Sequence, residues 1–72
     1  MRKQIVFNGK IFVIDLTKDK VISSFAKAKG GMFFTLFHPR RRNGKLIGGL
    51  IYDYNLLITG DIQIIPKEYR EF

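Results

Sequence analysis

Cysteine and tryptophan are absent from this chain, and His38 is its single histidine. Without cysteine there are no disulfide staples, thiolate zinc sites or thiol nucleophiles, and the reducing cytosol is the compartment that suits such a chain. One histidine excludes a His-rich metal site, and a carboxylate-only Mg²⁺ site would have to gather distant acids, so neither a metal nor a cofactor is expected. No apolar run approaches the ~18 residues of a membrane span, and Ile5-Val6-Phe7 is far shorter than the apolar core of a signal peptide. The expectation is a soluble, unprocessed cytoplasmic protein with no membrane partner.

Acids are scarce as well. Thirteen Lys and Arg stand against six Asp and Glu, a formal charge of +7. Residues 1–52 hold eleven of those cations against Asp15 and Asp19, a balance of +9, whereas residues 53–72 hold Lys67 and Arg70 against Asp53, Asp61, Glu68 and Glu71, a balance of −2. Such asymmetry points to a polyanion or an acidic protein surface meeting one side of the molecule. Seventy-two residues make one small domain, 1–72, and the 46% hydrophobic content, with seven Phe and three Tyr, is enough to fold it. A chain this short buries only about 60% of its unfolded surface, which leaves a homodimer room to add stability.

Asn8-Gly9 between Ile5-Val6-Phe7 and Ile11-Phe12-Val13-Ile14 is a two-residue hairpin signal. The register it sets places Phe7 opposite Lys10, Val6 opposite Ile11, Ile5 opposite Phe12, Gln4 opposite Val13 and Arg2 opposite Asp15. Both faces of that ribbon are apolar, which fits strands covered on both sides or wrapped into a small barrel. Residues 17–29 follow the helical period of about 100° per residue, with Val21, Ile22, Phe25, Ala26 and Ala28 on one half and Gly30-Gly31 to end the helix. The competing reading is a meander strand, because Val-Ile-Ser-Ser-Phe is β-prone and Thr-Lys-Asp-Lys can turn. Met32–Phe37 and Leu46–Tyr52 read as strands around a second Asn-Gly turn at Asn43-Gly44, with Gly48-Gly49 marking a bulge, a bend or a close backbone approach. In an unbulged register Phe37 meets Leu50, Thr35 meets Tyr52 and Phe33 meets Tyr54. Gly60-Asp61 suits a further two-residue hairpin loop within 56–65, and Pro66 stops that strand. The fold class expected is α+β, mostly β: a small barrel or roll of five to six short antiparallel strands in three hairpins, with one short helix.

Arg40-Arg41-Arg42 with Lys45 is the most informative feature, because four cations at a hairpin tip can follow phosphates while the paired backbone holds them outside the core. Triple arginine departs from the lysine that usually blunts an edge, since guanidinium forks onto phosphate or carboxylate. His38 lies beside this run, and Tyr52 and Tyr54 are the rings expected at the surface for base stacking, because their hydroxyls tolerate water. Phe33 and Phe37 share one strand face and are read chiefly as core. Lys27 and Lys29 extend the basic surface, although lysines spaced this way also describe the solvent side of an amphipathic helix.

No catalytic set is expected. Ser23, Ser24, Thr17, Thr35 and Thr59 lie in no nucleophile motif, and GGMFF and GGLIY lack the spacing and lysine of a phosphate loop. As a general base for these hydroxyls His38 lacks an orienting partner; a ribonuclease-like set of His38, Arg40 and Tyr52 is conceivable, because small basic ribonucleases work with His, Arg, Lys and Tyr alone, but it is the lesser reading. The reading is a non-catalytic nucleic-acid-binding protein, for DNA or RNA, that uses a basic β-hairpin on the phosphate backbone. The alternative is a protein-binding module or inhibitor, of a virus-encoded or accessory kind, that docks its basic face on an acidic partner.

Overall fold

Six strands carry all of the regular structure in the computed structural model, which describes residues 2–72: β1 Arg2–Phe7, β2 Lys10–Asp15, β3 Lys20–Ala26, β4 Met32–Arg42, β5 Lys45–Leu56 and β6 Ile62–Glu71. β1 and β2 form a two-stranded ribbon, and β3 to β6 form a four-stranded antiparallel sheet in chain order. The fold is therefore all-β, which corrects the expected α+β class. It is not a closed barrel either: among the described residues β1 pairs only with β2, and the outer edges of β3 and β6 have no strand partner.

The ribbon has the register its turn dictates, from Arg2 opposite Asp15 to Phe7 opposite Lys10. Asn8 and Gly9 sit at φ 50° and 76°, the pair of positive angles that a type I′ turn requires. A side chain at Gly9 would meet open space, so Gly9→Val strains only the backbone. It should cost about 1–2 kcal/mol and lower the thermal midpoint by roughly 4–8 °C per kcal/mol. A melting curve unchanged in that variant would refute the turn.

Residues 17–29 are not a helix. Thr17 donates its backbone N–H (3.0 Å) and its hydroxyl (2.6 Å) to Asp15 Oδ1, and the N–H groups of Lys18 and Asp19 reach the Asp15 carbonyl. The Thr17 hydroxyl, then its N–H, hold the Asp15 carboxyl down at about 2. The chain leaves this turn as β3, paired with β4 from Lys20 opposite Phe37 to Ala26 opposite Met32. Val21, Ile22 and Phe25 lose side-chain freedom in a helix, and Ser23 and Ser24 compete for its backbone. A neighbouring strand satisfies the same backbone groups at no such cost. Gly30 and Gly31, at φ 91° and 95°, turn β3 into β4 instead of capping a helix, with Gly30 N–H bonded to the Lys27 carbonyl at 3.1 Å.

Each interface within the sheet carries one register shift, between Val21 and Ser23, between Arg40 and Arg41, and between Ile51 and Tyr52. The second shift places the extra residue, Ile47, in β5. Below it the pairs are Phe37 with Ile51, Leu36 with Tyr52, Thr35 with Asp53 and Phe34 with Tyr54, one step from the unbulged register expected. The last connection is a five-residue loop, Leu57–Asp61, closed by Leu57 N–H to the Asp61 carbonyl at 2.8 Å, and not the two-residue loop expected at Gly60-Asp61.

Side chains alternate across a strand, so Phe34, Leu36, His38 and Arg40 of β4 face the ribbon while Phe33, Thr35 and Phe37 face away. The core lies between ribbon and sheet: Phe12, Ile14, Leu36, Leu50 and Tyr52 are buried, with Ile5, Phe7, Leu16, Phe34, Tyr54, Ile64 and Tyr69 packed around them. The ribbon covers one face of the sheet only. Its own outer face leaves Val6, Ile11 and Val13 exposed, so it is not sandwiched on both sides as its composition suggests.

Candidate nucleic-acid interface

The second Asn-Gly turn forms the end of the longest hairpin, with Asn43 at φ 52°, Gly44 at φ 77° and Arg42 opposite Lys45. Arg41, Arg42 and Lys45 are exposed there, and among the described residues none of them has an ion-pair partner. Arg40 differs from its neighbours. Its guanidinium lies over the rings of Phe12 (5.7 Å) and Tyr69 (6.0 Å), and its Nη1 is buried without a hydrogen-bond partner. A buried unpaired donor costs about 1–3 kcal/mol, a cost that an anionic oxygen seated beside it would remove.

Lys10 belongs to the same end. It follows the ribbon's Asn-Gly turn as Lys45 follows the other one, and its Nζ sits 4.2 Å from the Tyr69 ring centroid and 3.8 Å from Glu71 Oε1. Five cations from the two turns and from β4 thus share one end of a molecule 43 Å long and about 20 Å across. The repeated Asn-Gly-Lys was the available signal for Lys10, but its meaning depends on the ribbon packing parallel to the long hairpin.

Three of the expected site residues are turned inward. Tyr52 is fully buried, opposite Leu36, and donates its hydroxyl to Asp19 Oδ2 at 2.7 Å, so its ring is not offered to a base. The one-residue shift at Ile47 is the reason, because it moves Tyr52 and Tyr54 onto the face under the ribbon. Tyr54 is half-buried and stands edge-on to Phe34 at 5.7 Å. His38 also faces the ribbon: its Nδ1 is 2.9 Å from Asp19 Oδ1, and its ring meets Phe12 edge-on. Lys27 and Lys29 lie beyond the other end of β4, roughly 30 Å from the tip at ~3.3 Å per residue, so the fold does not bring them to the arginines.

Asp19, which no motif marks, ties this interior together by accepting from Tyr52, from His38 and from the Asp15 N–H (3.2 Å). Burial, then the hydrogen bond to Asp19 and its charge, push the Tyr52 phenol well above its ordinary range. The phenol stays protonated in the folded chain while an unfolded tyrosine ionises near pH ~10. The unfolded state then binds fewer protons, so stability should fall above that pH by about 1.4 kcal/mol per unit. Tyr52→Phe should flatten this alkaline limb in denaturant titrations from pH 8 to 12; an equally steep limb in the variant would contradict the assignment.

Among the described residues no group of three or more His, Asp and Glu gathers as a metal site, and no helix is long and apolar enough to cross a membrane. No protein-family model, curated protein or solved structure matches this chain.

Proposed function

We propose that this chain is a non-catalytic nucleic-acid-binding protein of the cytoplasm that applies the β4–β5 hairpin end to the phosphate backbone. The observation that carries the reading is the set of exposed, unpaired cations Arg41, Arg42 and Lys45 on a hydrogen-bonded ribbon, with Arg40 and Lys10 seated on aromatic rings behind them. The paired strands and the I′ turn hold these charges in fixed relative positions, so little ordering entropy is lost when phosphates meet them. Cations already neutralised by carboxylates would gain less from a polyanion.

Replacing Arg41, Arg42 and Lys45 together by serine should leave the fold intact, because none of the three packs in the core. Arg40 is left in place, since its guanidinium covers Phe12 and Tyr69. The wild-type protein should bind oligonucleotides with log K falling against log salt at a slope of roughly −3 to −5, and the triple variant should be shallower by 2 to 3 and at least ~10-fold weaker near 50 mM salt. Fluorescence anisotropy at several salt concentrations measures both. A flat salt response, or one saturable complex with an acidic protein in place of oligonucleotide binding, would overturn the reading.

A further inference from the structure

Among the described residues no element covers the face of the sheet turned away from the ribbon, and that face carries two ring stacks. Phe25 of β3 stacks on Phe33 of β4 with centroids 4.9 Å apart and planes at 25°, and Phe37 stacks on Phe72 at 6.2 Å and 9°. Phe25 is 55% exposed and Phe72 72%. Both are held in place: Phe25 by the pairing of β3 with β4, and Phe72 by its N–H to the Ile47 carbonyl at 3.0 Å. Gly49 lets Phe37 lie flat against the sheet, because a side-chain carbon there would overlap the Phe37 ring. Phe33 and Phe37 are four residues apart on one strand, so the two stacks stand about 13 Å apart.

Charge borders this face unequally. β3 and the turns flanking it hold Lys18, Lys20, Lys27 and Lys29, and the one acid among them, Asp19, is buried on the opposite side against Tyr52 and His38. On the β6 side the cations are matched, Lys67 with Asp53 at 3.4 Å and Arg70 with Glu68 at 2.9 Å. A ligand with apolar planar groups on one flank and anionic groups on the other fits both halves of this pattern. We propose that this face binds a single-stranded polynucleotide, with unpaired bases stacking on the Phe25 and Phe72 rings and phosphates following the lysines of the β3 side. A duplex keeps its bases stacked inside and meets only the hairpin tip. A second copy of the chain brings another +7, and its exposed acid without an ion pair among the described residues, Asp61, lies in the Leu57–Asp61 loop where Thr59 holds it, which makes a second copy the poorer occupant.

The inference rests on the nucleic-acid reading, and the experiment separates the two. The double variant F25L/F72L keeps apolar contact but removes the exposed rings. Anisotropy with labelled oligothymidylate, oligouridylate and a DNA hairpin duplex should show single-strand affinity reduced by roughly 5- to 150-fold, the equivalent of about 1–3 kcal/mol, with duplex affinity unchanged. Replacing Lys18, Lys20, Lys27 and Lys29 by serine, in a second variant, should weaken single-strand binding selectively as well. Equal single-strand affinity in wild type and F25L/F72L overturns the inference and leaves the hairpin reading standing, whereas no binding of any probe by the wild type overturns both. A wild-type dimer in sedimentation that becomes monomeric in F25L/F72L would assign the face to a second copy instead.

Discussion

Asp19→Ala should remove about 3–4 kcal/mol of stability, out of the roughly 4–11 kcal/mol to be expected for a chain of this length. The alanine leaves the Tyr52 hydroxyl in a site with no access to water and takes away the Asp19 acceptor of the Asp15 N–H at the end of the ribbon. His38 loses its Nδ1 partner too, but its side chain is 22% exposed and can turn to solvent. Tyr52→Phe removes a single donor from a carboxylate that keeps two others, and should cost about half as much or less. The ordering of the two variants in urea denaturation is the test. An Asp19→Ala protein that melts with the wild type would show that this carboxylate does not fasten the β2–β3 turn to the sheet.

Gly48→Val should cost on the order of 3 kcal/mol, well beyond the effect at Gly9, although Gly48 occupies no left-handed backbone. The difference is what the new carbon meets. At Gly48 it would overlap the Arg70 carbonyl oxygen and come within 3.0 Å of the Tyr69 hydroxyl, while at Gly9 it meets nothing within 4 Å. Backbone cannot swing aside as a flexible side chain can, so β5 and β6 must part where Gly48 faces Glu71. Because Tyr69 supports Arg40 and Lys10, the variant should also weaken oligonucleotide binding at the hairpin end. Circular-dichroism melts and anisotropy would report both losses, and a variant with wild-type stability would contradict the close approach of the two strands.

What could be read ahead of the structure was local. Both Asn-Gly turns and the full register of β1 with β2 follow from residues within a few positions of one another, whereas Gly48-Gly49 left a bulge, a bend and a close approach open until Arg70 and Phe37 were placed against it. The register of β4 with β5 does not follow locally, because the bulge at Ile47 is held from outside the hairpin by Phe72 and the crowding at Arg70. Residues 17–29 satisfy a helical projection and a strand equally well in isolation, and pairing with β4 decides between them. The arginine cluster was legible as charge in sequence. Lys10 joins it only through packing, and the side-chain partners of Asp19 lie 19 and 33 positions away, beyond the reach of any spacing rule.

The two margins of the sheet differ in how they would receive an added strand. Pro66 breaks the row of donors along β6, and Lys67, Glu68, Arg70 and Glu71 crowd that margin with charge. β3 has one charged residue, Lys20, in its seven positions, and its outer backbone is open. Polymerisation by head-to-tail strand addition through this sheet needs both of its margins to be receptive, and only the β3 margin is. Two chains meeting at β3 would pair about a two-fold axis and leave β6 at both margins of the joined sheet, so growth through that sheet would stop at the pair, blocked by a single proline and its charged neighbours.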